Sequence, residues 1–230
     1  MHPIDNAPWH ALHGPQATLA ERHGDAARYQ PDITPFAALP DAPAAAAWDD
    51  LRALVGPGAG TVLFRAEIEP GPGWTVLFAG TGEQMLAPET LRITRRAADT
   101  PPLLALGPDD VDDMLELVAR TRPGPFLRRT IALGTYLGYR DDAGKLVALA
   151  GERLHVDGYT ELSAVCTDPD VRGRGLATAL IEELVTRISA RGETPFLHVA
   201  TENDTARSLY ETLGFTVRRT VEFAGLRAPA

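Results

Sequence analysis

The sequence predicts an α/β (α+β) fold. Its centre is a mixed, mostly antiparallel sheet covered by helices, with a smaller α/β part at the N-terminus. Three observations lead there. Residues 103–167 read as a short strand, an amphipathic helix and then three strands joined by tight turns, which is an antiparallel meander. Residues 168–223 read as loop, helix, strand, helix, strand, an order that implies a right-handed parallel crossover. Between them lies a glycine-rich turn, Arg172-Gly173-Arg174-Gly175, that opens a long helix. The chain has 230 residues, 44% hydrophobic and 23% charged, a globular composition. At that length it buries about two-thirds or more of its unfolded surface and needs no staples.

Residues 1–42 are polar, with a weak helical pattern over 15–28. A helix is expected over 43–55, where Trp48, Leu51, Leu54 and Val55 recur at helical spacing before Gly56-Pro57-Gly58. Two strands follow, 61–66 and 74–79, around the turn Pro70-Gly71-Pro72-Gly73. Residues 80–91 fit either class, and 97–102 read as a linker because adjacent prolines suit neither a helix nor an inner strand. A strand at 103–106 precedes a helix over 108–122, with Val111, Met114, Leu115 and Val118 on one face and aspartates in its first turn. Strands follow at 134–139, 145–155 and 159–167, the last two joined by Asp157-Gly158. A helix over 176–190 carries the stripe Leu176, Ala179, Leu180, Leu184, Val185 and Ile188. A strand at 196–200, a helix over 204–213 closed by Gly214, and a strand at 215–223 complete the chain. This suggests a division into an N-terminal part, 1–101, and a second, domain-sized part, 102–230. The first part reads as a reduced counterpart of the same α/β architecture, packed against the second.

The 22 basic and 31 acidic residues give a charge of −9, with both parts acidic. A nucleic-acid binder needs a cationic face, so no nucleic-acid partner is expected. A single cysteine, Cys166, fits a reducing, cytoplasmic setting and a small core residue. The first residues lack a basic start and an apolar segment, so no secretory signal is expected, and no window suits a membrane span. His10 and His13, with His2 and His23, are too loosely spaced for a metal site, so no metal is expected.

The glycine-rich turn carries the first chemical signal. Two glycines before a helix let the backbone turn tightly and leave the first-turn N–H groups pointing outward, which suits a pyrophosphate. The two arginines add charge-assisted bonds. A Walker loop would need a lysine here, and a dinucleotide fingerprint would need glycine where Thr178 stands. A second motif follows in Asn203-Asp204-Thr205-Ala206-Arg207-Ser208-Leu209-Tyr210-Glu211-Thr212-Leu213-Gly214-Phe215. Ala206, Leu209 and Leu213 form the packed side of a short helix that Asn203 can cap.

With Arg172, Gly175 and Ala177 at its defining positions, the turn resembles the acetyl-CoA pyrophosphate loop of the GNAT N-acetyltransferase superfamily. The second motif resembles the Asn-x-x-Ala-x-x-Leu-Tyr-x-x-x-Gly-Phe pattern of the same superfamily. The likeness spans about residues 103–223, and the runs PFLHVATEN and ELSAVCTDPDVRGRGLA resemble its glycine N-acyltransferase-like branch. It implies a sheet whose two central parallel strands splay to admit the pantetheine arm of acetyl-CoA. It implies that the backbone of Val165 and Thr167 bonds the pantetheine amides, and that Val165 N–H polarises the thioester carbonyl. Arg172, Gly173, Arg174, Gly175, Leu176, Ala177 and Thr178 would hold the pyrophosphate, and Asn203 would meet the pantetheine. Arg207 would approach a coenzyme phosphate, or lie on a solvated helix face. Tyr210 would protonate the departing thiolate, or only pack against the thioester.

Glu161 is the expected general base, with Glu152, His155 and His198 as alternatives and a surface position as the bland reading. Alternation places Glu161 on one face with Tyr159, Ser163 and Val165, where a cleft would raise its pKa. His198 reads first as a buried, hydrogen-bonded histidine. The implied activity is acetyl transfer from acetyl-CoA to a primary amine of a small molecule or peptide N-terminus. The alternative is a non-catalytic acyl-CoA-binding or sensing module. A homodimer is compatible with this architecture.

Overall fold

The computed structural model describes residues 2–91 and 101–230. Its centre is one eight-stranded sheet. In chain order the strands are β4 (Gly60–Arg65), β5 (Thr75–Leu86), β6 (Leu104–Leu106), β7 (Tyr136–Arg140), β8 (Leu146–Val156), β9 (Tyr159–Thr167), β10 (Thr194–Ala200) and β11 (Thr216–Arg227). Their spatial order is β4-β11-β5-β10-β9-β8-β7-β6. Only β9 and β10 are parallel; every other neighbouring pair is antiparallel.

This order corrects the expected division at residue 101. β5 comes from the first part yet lies between β11 and β10 of the second, and β4 extends the same sheet. The two parts therefore share one hydrogen-bonded sheet and not two cores. The ambiguous stretch resolves as strand through Leu86, because its pairing partners β10 and β11 lie far away in sequence. The expected linker lies, up to residue 100, outside the described residues.

One face of the sheet is covered by α4 (Leu176–Ala190) and α5 (Asp204–Thr212). The whole predicted stripe of α4 is buried there against Leu162, Leu197 and Met85. On the opposite face, α3 (Val111–Thr121) packs Met114 and Leu117 against Leu149 and Cys166. The N-terminal segment covers the rest of that face. It holds α1 (Ala7–His13), a small antiparallel sheet of β1 (Ala20–His23), β2 (Ala26–Tyr29) and β3 (Ala37–Ala38), and α2 (Ala45–Val55).

Here the helix expected over 15–28 is corrected to a hairpin. His23 pairs with Ala26 across the two-residue turn Gly24-Asp25. Strand β2 buries Ala26, Ala27 and Tyr29. That burial against the main sheet decides the class over weak helical periodicity.

Candidate active site

Strands β9 and β10 pair from Tyr159 and Thr194 up to Leu162 and Leu197, where their register ends. Both strands continue past that point. β9 stays paired with β8 as far as Thr167, and β10 stays paired with β5 as far as Ala200. Two strands held on their outer sides and released on their inner sides make a fork.

Inside the fork β9 carries a bulge. Cys166 opposes Leu149 and Ser163 opposes Gly151, so one extra residue of β9 is left without a place in the ladder. Ala164 sits there at φ +54°, a left-handed conformation that is rare for a residue with a side chain. The bulge overturns the simple alternation. Val165 packs toward α4 with Leu162, while Ala164 and Cys166 face α3. Val165 therefore does not share a face with Glu161, whose partners are Arg153 and His198. No local sequence signal marks this bulge.

The fork opens into a cleft of about 680 Å3. It brings together Val165, Thr167, residues 172–178, Asn203 and Tyr210, most of the predicted site. Gly173 and Gly175 have φ of +78° and +75°, and a Cβ on either would meet no atom within 4 Å. The glycines are thus demanded by backbone conformation and not by space. An L side chain at such an angle costs about 1–2 kcal/mol. Gly175 precedes the first residue of α4 and its carbonyl accepts the first helical bond, from Ala179 N–H at 3.0 Å. Gly175→Val should therefore raise the Kd for CoA at least tenfold by turning the first-turn N–H groups, measurable by calorimetry.

Arg172, Arg174 and Arg122 line this cleft, and no carboxylate does among the described residues, although the chain carries −9. Asn203 Oδ1 accepts from Ala206 N–H at 3.1 Å and so caps α5 while facing the cleft. The Thr167 hydroxyl is buried there without a protein partner. The opposite wall, Thr121, Arg122 and Pro123 at the end of α3, was not foreseen. Its sequence signal is only a helix stop, and tertiary packing brings it to the fork.

Tyr210 is buried in the cleft wall with its ring 5.7 Å from that of Phe215. Burial, and secondarily the neighbouring Cys166, push its phenol well above the ordinary value of 10. Burial likewise pushes the Cys166 thiol up to about 11, and Cys166 remains a core residue that also edges the cleft.

Two expected site residues stand elsewhere. Arg207 does not line the cleft; it pairs with Glu83 and Glu211, each at 3.5 Å, because it faces β5 and not the fork. Glu161 is fully buried and outside the cleft. Its oxygens accept from Arg153 Nε at 2.7 Å and Nη2 at 2.5 Å, a two-pronged pair, and it receives a 2.6 Å bond from His198 Nδ1. Burial alone would raise its pKa. The Arg153 charge and bonds outweigh burial, His198 adds to them, and the carboxyl falls to about 2. The expected raised pKa is therefore corrected, and so is the role of proton acceptor at the cleft.

The alternatives fare no better. Gln84 donates its amide hydrogens to the Ile4 carbonyl and to His198 Nε2, so both ring nitrogens of His198 are engaged by protein. Burial holds that imidazole neutral by lowering its pKa, against the pull of Glu161. Glu152 and His155 belong to a cluster with Arg191 and Glu193 near the opposite ends of β8 and β9.

Comparisons with known proteins agree with this geometry. The FR47-like protein family matches residues 136–224. The chain is 33% identical over 118 residues to the [ribosomal protein bS18]-alanine N-acetyltransferase of Escherichia coli K12, covering 48% of this chain and 79% of that one. It is 40% identical over 86 residues to the N-alpha-acetyltransferase RimI of Mycobacterium tuberculosis, covering 35% and 51%. Among solved structures, a putative GNAT-family acetyltransferase of Novosphingobium aromaticivorans superposes with a TM-score of 0.86 at 37% identity, covering all of both chains. These matches carry the superfamily and its enzymatic activity, and they do not address the glycine N-acyltransferase-like branch. A fork, a left-handed glycine turn and a buried tyrosine at one cleft, together with these relatives, establish that the chain is an N-acetyltransferase of the GNAT superfamily.

Proposed function

We propose that the chain transfers an acetyl group from acetyl-CoA to the α-amine of a peptide or a small amine of similar chemistry. The observation that carries this reading is the joining of the fork, the arginine-rimmed glycine turn and Tyr210 in one cleft. The first-turn N–H groups of α4, with Arg172 and Arg174, suit the pyrophosphate of the donor. The open inner edges of β9 and β10 suit the pantetheine amides, which would pair like a strand. The names of the relatives, one an alanine N-acetyltransferase of a ribosomal protein and one an N-alpha-acetyltransferase, favour an α-amine over other acceptors.

In this reading the amine nitrogen attacks the thioester carbon and a C–N bond forms. The backbone N–H of Val165 supports the carbonyl oxygen as negative charge develops on it. The C–S bond then breaks, Tyr210 stands where a proton reaches the sulfur, and the nitrogen gives up one proton. No carboxylate or histidine lines the cleft among the described residues, so the amine enters already deprotonated. For a peptide acceptor, kcat/KM should therefore rise with pH and level off near the α-amino pKa of about 8. A steady-state profile from pH 6 to 9.5 with an alanine-initiated peptide tests this. A profile already flat across that range would instead restore a base that titrates below pH 6. The reading as a whole is tested by thiol release from acetyl-CoA with such a peptide, and fails if no amine supports turnover.

A further inference from the structure

We propose that Arg122, at the end of α3, closes on the pyrophosphate of the donor from the wall opposite the glycine turn. The inference rests on the acetyl-CoA reading above and adds a residue that the turn itself does not contain. Helices α2, α4 and α5 each stop at a glycine with positive φ, namely Gly56, Gly192 and Gly214 at +95°, +79° and +97°. Helix α3 stops instead at Arg122, with φ +50° and ψ +55°, its N–H donating to the Val118 carbonyl at 2.8 Å. A left-handed helix end usually takes glycine or asparagine, because a Cβ is strained there. Among the described residues only Ala164, in the bulge of the fork, shares such an angle without being glycine. Strain kept at a cleft points to a use for the side chain that bears it.

The end of α3 is tied to the approach to the glycine turn. Arg120 Nε donates to Asp168 Oδ2 at 3.1 Å, and Asp168 Oδ1 accepts from Asp170 N–H at 3.2 Å. Asp168 thus joins the last turn of α3 to the short turn Pro169–Val171, which leads into Arg172. The Thr121 hydroxyl meets the Cys166 thiol on the neighbouring end of β9. Held at both points, the end of α3 sets Arg122 at the border of the cleft that Arg172, Arg174 and the first turn of α4 also line.

Charge says what that space takes. Arg120, two residues before Arg122, is bound to Asp168 and Glu116. Among the described residues, the arginine side chains with neither a hydrogen bond nor an ion pair are those of Arg122, Arg174 and Arg227, and the first two line this cleft. Three guanidinium groups therefore border one cleft that, among the described residues, no carboxylate lines. An anion between the walls relieves their mutual repulsion, and a guanidinium grips a phosphate with two parallel N–H bonds. The first-turn N–H groups of α4 suit one side of a pyrophosphate, and Arg122 supplies the other.

The test is calorimetric binding of acetyl-CoA, CoA and dephospho-CoA, which lacks the 3′-phosphate, to the full chain. Arg122→Gly should weaken all three alike, by about tenfold or more, since charge-assisted bonds are lost. The melting temperature of the unliganded chain should meanwhile rise by about 2 °C, because glycine adopts the angle without strain. Loss of packing alone would lower it. Arg122→Asn, also at ease in that conformation, should lose the same affinity, and Arg122→Lys, which keeps the charge, should stay within about threefold of wild type. Kd values in Arg122→Gly within about twofold of wild type overturn the clamp and leave the donor reading standing. So does a loss seen with CoA and acetyl-CoA but absent with dephospho-CoA, which gives Arg122 to the 3′-phosphate. An unchanged Kd with a raised KM for the alanine-initiated peptide gives Arg122 to the acceptor and also overturns the clamp. A wild-type chain that binds none of the three overturns the donor reading together with the proposal.

Discussion

Replacing Tyr210 with phenylalanine is expected to lower kcat for acetyl transfer about 100-fold or more, with the Kd for acetyl-CoA changed less than about threefold. A positioned proton donor contributes about 10²–10⁴ in rate. The ring remains in Tyr210→Phe, so the packing against Phe215 and the cleft wall survives. Only the hydroxyl is lost. Its phenol is held above its ordinary pKa by burial and then by Cys166, so it stays protonated throughout the working pH range. A free thiol has an ordinary pKa of about 8.5, which makes full transfer from such a phenol uphill in water. Within the cleft the departing sulfur is desolvated too, and its own affinity for the proton rises for the same reason. In the proposed reaction the hydroxyl would hydrogen-bond the sulfur as charge develops, and the proton would follow as the C–S bond breaks. Stopped-flow measurement of thiol release separates this from binding. An unchanged single-turnover rate in Tyr210→Phe would reduce the residue to a packing role.

What could be read from the sequence and what could not divide along a physical line. Elements whose partners are near in sequence were legible: the 159–167 strand and the 176–190 helix match β9 and α4 residue for residue. The glycine turn was legible because its function lies in local backbone angles, and Gly173 and Gly175 adopt them. What failed depends on distant contacts. β5 finds its place only between two strands more than 100 residues away. The first 42 residues look polar, yet Ile4, Leu12, Tyr29 and Ile33 are almost fully buried against the main sheet. Glu161 was misassigned for the same reason. Its strand position was right, but its meaning was set by Arg153 on the neighbouring strand, and the bulge at Ala164 removed Val165 from its face.

That pairing makes Glu161→Ala the substitution with the largest expected effect on stability, about 3–5 kcal/mol, because it leaves the Arg153 charge buried without a counterion. Arg153 is mostly enclosed, its side chain 14% exposed and its guanidinium 5.2 Å from the Phe36 ring centre, so water replaces the carboxylate only in part. His198 would lose the acceptor for Nδ1 at the same time, just where the backbone pairing of β9 and β10 ends. The acid dependence follows from the same geometry. Glu161 falls from its usual 4.5 to about 2 in the folded chain, so its contribution is fully present above about pH 4.5 and is lost as pH falls toward 2. A drop of that size corresponds to about 3 kcal/mol. Asp5, held near 2 by Arg218 and Arg219 against the opposing effect of burial, titrates in the same window, so the slope is shared. Urea midpoints of the wild type should decline steeply between pH 4.5 and 3, and those of Glu161→Gln should decline less from a lower start. A double replacement of Arg153 and Glu161 by apolar residues should recover much of the loss, since it removes both charges. A Glu161→Ala protein with wild-type stability at pH 7 would show that the pair carries no net weight.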